Sequence, residues 1–126
     1  MAFIHLPDAP DSVAPDGAAV RVLLHVGGCS MAHFQWAPGQ TSAAVRHRTV
    51  DELWFVLSGN GELWLSSSGV VPVRAGDCIG IPVGTGFQVR TIGPSHLQVL
   101  GATCPPWPGD AEAVPANGPW EPACPP

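Results

Sequence analysis

Gly39 to Gly59 reads GQTSAAVRHRTVDELWFVLSG, and the architecture is decided in this stretch. Beyond its glutamate, Glu52 to Leu57 is apolar at every position, which predicts a central strand buried on both sides. Ser58-Gly59-Asn60-Gly61 then supplies residues that tolerate positive φ, so a tight hairpin is expected, with Glu62 to Ser66 returning beside the first strand. Outward from this hairpin the chain keeps the same texture. Val20 to Val26 is a strand ended by Gly27-Gly28, and Ser30 to Trp36 is a second ended by Pro38-Gly39. The third and fourth flank the turn after His47. On the other side, Val70 to Arg74, Cys78 to Ile81, Phe87 to Thr91 and Leu97 to Leu100 alternate as strands with one core face. No convincing helix interrupts them. The pattern is that of an all-β sandwich or barrel.

At 126 residues the chain fits one compact domain. Three parts are expected: an N-terminal extended segment (1–18), a barrel (19–104) and a proline-rich C-terminal arm (105–126). Proline lacks the amide proton and fixes φ, so the arm stays out of sheet interiors and helices. Trp107 and Trp120 each offer a large apolar ring, so the arm packs on the barrel or on a partner subunit.

A net charge of -5, with five arginines and no lysine, leaves no basic footprint for nucleic acid or anionic membranes. Pro7, Asp8, Pro10 and Asp11 interrupt the apolar core that a signal peptide needs, and no later stretch is long and apolar enough to span a bilayer. A cytoplasmic location is expected. Cys29, Cys78, Cys104 and Cys124 form no CxxC pair and read as buried small hydrophobes or idle thiols.

Gly39, His47, Glu52 and Gly59 coincide with the first motif of the cupin superfamily, GxxxxxHxHxxxxExxxxxxG, at its first glycine, second histidine, glutamate and last glycine. Gly76, Pro82 and Gly84 match the second motif, GxxxxxPxGxxHxxxN. The chain thus resembles a small cupin, and the resemblance implies a jelly-roll β-barrel with a pocket at one mouth. In metal-dependent relatives three histidines and a glutamate converge there on one divalent ion. This sequence departs at Val45 and Phe87, which stand at two histidine positions, and at Thr91, which replaces the asparagine.

His47 and Glu52 are therefore the candidate catalytic pair, and two ligands fall short of the three that a catalytic zinc or non-haem iron site wants. A third ligand would come from His25, His33 or His96. His33 is the best placed, because alternation groups it with Gln35 opposite Ala32, Phe34 and Trp36. The candidate metal set is His47, Glu52 and His33, and the candidate pocket includes His33, Gln35, Trp54 and Gln88. Asp51 replaces Glu52 if the turn carries a bulge. The cofactor is accordingly none, or a weakly held divalent metal (Zn, Fe, Mn or Ni).

Three functions remain open. A metal-free enzyme of the isomerase, epimerase or cyclase type would use His47 and Glu52 as acid and base on a small polar metabolite. A metal-dependent dioxygenase or lyase would use the same pair with His33. A non-catalytic module would bind a small-molecule ligand without turnover. A homodimer is expected, since exposed sheet edges need covering.

Overall fold

A computed structural model describes residues 3–124. The chain folds into two antiparallel sheets, all-β as expected, with a single 3-10 turn and no α-helix among the described residues. The first sheet orders β1 (Ser12–Val13), β2 (Ala19–Val26), β3 (Cys29–Trp36), β10 (Leu97–Cys104), β5 (Asp51–Ser58) and β8 (Cys78–Ile81). The second orders β11 (Ala113–Pro115), β4 (Val45–His47), β9 (Phe87–Ile92), β6 (Asn60–Leu65) and β7 (Gly69–Arg74). Consecutive strands mostly lie in different places across the two sheets, so the core is closed by long-range pairing.

The inward side chains of both sheets meet in one apolar cluster. Trp36, Val56, Ile81, Leu97 and Val99 come from the first sheet, and Leu63, Val73 and Val89 from the second. The expected hairpin is not formed: after β5 the chain turns at Gly59, whose φ of 86° suits glycine, and crosses to the other sheet, where β6 pairs with β7 and β9 rather than with β5. A Cβ at Gly59 would also run into the carbonyl oxygen of His96 and come within 2.9 Å of the Cα of Leu97, so no larger residue fits.

β5 corrects one expectation. Its side chains alternate: Glu52, Trp54 and Val56 point inward, while Leu53, Phe55 and Leu57 stay 64%, 43% and 44% exposed. Period-two geometry assigns successive residues to opposite faces, and only one face of this sheet meets the other. The strand is internal to its sheet and buried on one side. The cysteines differ from one of their two readings as well: all four are free, Cys29 is half-buried, and Cys78, Cys104 and Cys124 are exposed.

The flanking segments are part of the fold. Ser12 and Val13 pair with Val20 and Ala19, which brings the loop at Asp16 against the barrel. The arm lies on its own barrel: β11 pairs with β4, Ala123 bridges Thr41, and the Trp120 ring lies 4.3 Å from the Arg90 guanidinium. Residues 1–2 and 125–126 of these two segments lie outside the described residues. No helix among the described residues is long and apolar enough to cross a membrane.

Candidate active site

A cavity of about 520 Å³ opens between the sheets, and strand alternation determines what lines it. On β5 the inward positions are Glu52 and Trp54, which face Thr103 and Gly101 across the ladder to β10. On β4, Val45 and His47 point in and Arg46 points out. β9 supplies Phe87, the register partner of Val45, and β3 supplies Phe34 and Trp36. Asp16 enters from the loop before β2, and Trp107 from the arm.

The His47 ring is held edge-on by two aromatic neighbours, Phe87 at 5.2 Å and Trp107 at 5.1 Å between centroids. Its Nδ1 is buried without a hydrogen-bond partner. Burial lowers its pKa below the usual 6.5, against a smaller upward pull from the charge of Glu112. The imidazole is thus neutral at pH 7.

Glu52 is shifted the other way. Burial pushes its carboxyl up to about 8, the indole of Trp54 opposes this, and the charge of Asp16 adds to it. At neutral pH Glu52 therefore keeps its proton. Burial also raises Asp16 to about 6, against the Ala18 amide that donates to its Oδ1 at 3.0 Å and the nearby Trp36 indole. The two indole N–H groups lie near enough to these carboxyls to lower their pKa values, yet neither makes a well-formed hydrogen bond in this structure.

The turn joining His47 to Glu52 is fixed from outside the cavity. Glu112, on the 3-10 turn Asp110–Glu112, accepts from the Thr49 amide at 2.5 Å, the Thr49 hydroxyl at 2.7 Å and the Val50 amide at 2.8 Å. Burial raises its pKa, but these three donors and His47 outweigh that and hold it below the ordinary glutamate value. A clasp of this kind satisfies buried amides and sets the spacing of the two residues it separates.

Of the expected pocket residues, the structure brings His47, Glu52 and Trp54 together and sends the others elsewhere. His33 and Gln35 lie on the outer face of the first sheet. There His33 Nε2 lies 3.0 Å from Gln98 Oε1 and its Nδ1 lies 3.4 Å from Arg21. Arg21 in turn donates to Gln35 Oε1 and to the carbonyls of Pro7 and Asp8, so the N-terminal segment covers this network. His33 is buried, as a pocket residue would be, but beneath a different surface. Gln88 is fully buried under the arm, donating to the carbonyls of Ser42 and Trp120 and accepting from the Trp120 amide. Asp51 points outward and accepts from the Val83 amide at 2.9 Å, so Glu52 is the carboxylate in the cavity.

The donor set falls short of what a metal ion needs. Val45 and Phe87 present apolar walls where two imidazoles would stand, and His33 is on the wrong side of its sheet to supply a third ligand. Among the described residues no group of three His, Cys, Asp or Glu side chains could hold a metal ion. His47 and Glu52 alone do not fit a catalytic divalent ion. Asp16, Phe34 and Trp36 were missed in the sequence, since no motif marks them. The packing of Trp107 was legible from its size.

A family model described as Cupin domain matches residues 32–103, more than half of the chain. Comparison with curated proteins finds no match. Among solved structures, the polyketide cyclase RemF from Streptomyces resistomycificus is similar over 94% of this chain and 87% of its own, with 18% identity and a TM-score of 0.75. A conserved protein with a double-stranded beta-helix domain from Klebsiella pneumoniae is similar over 94% and 99%, with 19% identity and a TM-score of 0.74. A predicted oxalate decarboxylase from Thermotoga maritima is similar over 80% and 98%, with 18% identity and a TM-score of 0.68. At these identities the likeness is one of fold.

Proposed function

Because the chain belongs to the cupin family, whose barrels share a fold across many chemistries, we propose that this one catalyses proton transfer on a small carbonyl compound, an isomerase- or cyclase-type reaction that needs no metal. The observation that carries the reading is the pair His47 and Glu52, two titratable groups in one cavity whose pKa values are pushed apart. The neutral imidazole of His47 takes a proton from the carbon next to the carbonyl. The neutral carboxyl of Glu52 gives its proton to the carbonyl oxygen, and an enol results. When the carbon next to the carbonyl bears a hydroxyl the enol is an enediol, and returning the proton to the former carbonyl carbon while that hydroxyl gives up its own isomerises the substrate. Attack of an enol carbon on a second carbonyl, with the enol O–H proton passing to the new alkoxide, closes a ring. The similarity to a polyketide cyclase over nearly the whole chain supports this class of reaction. A metal-dependent dioxygenase or lyase is not favoured, given the donor set described above.

The pH dependence follows from the two shifts. The base limb rises through the lowered pKa of His47, and activity falls as Glu52 loses its proton near 8, so the rate is highest around neutrality. The test is deuterium uptake at C2 of α-tetralone in D2O, followed by mass spectrometry. Uptake should exceed that in buffer, and His47→Ala and Glu52→Gln should each lower it by about 10²-fold or more. Uptake no faster than in buffer, or unchanged in both variants, sinks the proton-transfer reading. Bound ketone without exchange would favour the binding module.

A further inference from the structure

The cavity walls carry an unusual charge inventory. Asp16, Glu52 and Asp110 are acidic, no arginine is among the lining residues, and the two lining histidines are His47, neutral as described above, and His25, an exposed residue of β2. The chain has no lysine, none of its five arginines lines the cavity, and three of them are engaged elsewhere: Arg21 under the N-terminal segment, Arg46 on the carbonyl of Pro115, and Arg90 on Glu62 at 2.7 Å. A carboxylate or phosphate entering here would lose its hydration without gaining a counter-charge, and it would face Asp16.

What the cavity does offer is donors. Four buried side-chain polar atoms lack partners among the described residues, and three belong to cavity-lining residues: the donors Trp36 Nε1 and Trp54 Nε1, and His47 Nδ1, which donates or accepts according to its tautomer. An indole N–H can only donate, and a protonated Glu52 adds an O–H. Around these donors stand the rings of Phe34, Trp36, Trp54, Phe87 and Trp107. Flat walls with inward donors suit a flat guest with outward acceptors.

We propose that the cavity selects uncharged, ring-bearing molecules with carbonyl or phenol oxygens, and rejects carboxylates and phosphates. This rests on reading the cavity as a small-molecule site, and it narrows the substrate expected from the sequence, which was simply a small polar metabolite. A cation would meet the carboxylates favourably but has no acceptor for the indole N–H groups, so it ranks below the neutral guest.

The test uses three probes of matched shape: 2-acetylnaphthalene, 2-naphthoate and 2-naphthylmethylammonium, measured by equilibrium dialysis at pH 7. The ketone should bind at least about tenfold more tightly than the carboxylate, a difference of about 1.4 kcal/mol. Asp16→Asn should strengthen naphthoate binding at least threefold and leave the ketone nearly unchanged. The same ranking should hold in His47→Ala, which separates this inference from the proton-transfer reading: selectivity can survive where exchange fails. Naphthoate binding as tightly as the ketone, the ammonium binding more tightly than either, or no binding of the ketone overturns the proposal.

Discussion

Replacing Glu52 by glutamine should make the protein more stable in alkali than the wild type, an inversion of the usual cost of a mutation. The carboxyl titrates at 4.5 in an unfolded chain and at about 8 in the folded cavity. Between these values the folded state holds a proton that the unfolded state has released, so raising the pH favours unfolding. Its stabilising contribution is complete below 4.5 and is lost as pH rises through about 8. The interval, at 1.36 kcal/mol per pH unit, amounts to roughly 5 kcal/mol. Glu52 is only 4% exposed, so solvent screening takes little from this figure. Glutamine has nearly the same shape and does not titrate. Asp16 is raised in the same direction, from 3.8 to about 6, but it is present in both proteins and largely cancels in their difference. The assay is urea denaturation followed by tryptophan fluorescence, with both proteins measured at intervals from pH 4 to pH 9. Between pH 4.5 and about 8 the variant should gain on the wild type by about 1.4 kcal/mol for each pH unit, with no further change outside that window. A difference that stays constant across the range would mean that Glu52 ionises as an ordinary surface carboxylate, and the acid of the proposed reaction would be lost with it.

Two further outcomes follow from the geometry. Val45→His with Phe87→His places two imidazoles on facing register partners beside His47 and Glu52, so the double variant should retain close to one zinc per chain after loading and dialysis while the wild type retains little; equal metal content by elemental analysis would refute the account of why the donor set falls short. Leu53, Phe55 and Leu57 form an exposed apolar row on β5, which the expected homodimer would cover, so Phe55→Glu should reduce the mass seen in sedimentation equilibrium from twice 13.1 kDa to 13.1 kDa. A wild type that is monomeric at every concentration removes the dimer.

Alternation was plain in the sequence along the strands of the second half, and so were the glycines at the turns. The choice of inner face was not. For His33 and Gln35 the pattern correctly grouped the two residues together, but a period of two gives two faces without saying which meets the cavity. The polar face of β3 was assigned inward because a histidine there could complete a metal site. The structure turns it outward, where Arg21 and the N-terminal segment bury it just as deeply. β5 failed in the opposite sense: Leu53, Phe55 and Leu57 read as core, though composition cannot separate a second buried face from a bare one. Asp16 was invisible for a different reason. It belongs to a loop whose position depends on Ala43 N donating to the Asp16 carbonyl and on Gln40 Nε2 donating to the Gly17 carbonyl, contacts between segments far apart in the chain. His47 and Glu52 were legible because they stand at the second histidine and the glutamate of the first cupin motif.

The span shared with the family, 32–103, contains His47, Glu52, Trp54 and Phe87, but Asp16 and Trp107 lie on either side of it. The pocket is thus assembled from the span the family model covers and from both of its flanks. Grafting it onto another barrel would mean carrying three pieces of chain, the third of them reaching as far as Glu112 to keep the turn between His47 and Glu52 in shape. Exchanging either flank would change walls of the cavity while leaving in place the strands that carry His47 and Glu52.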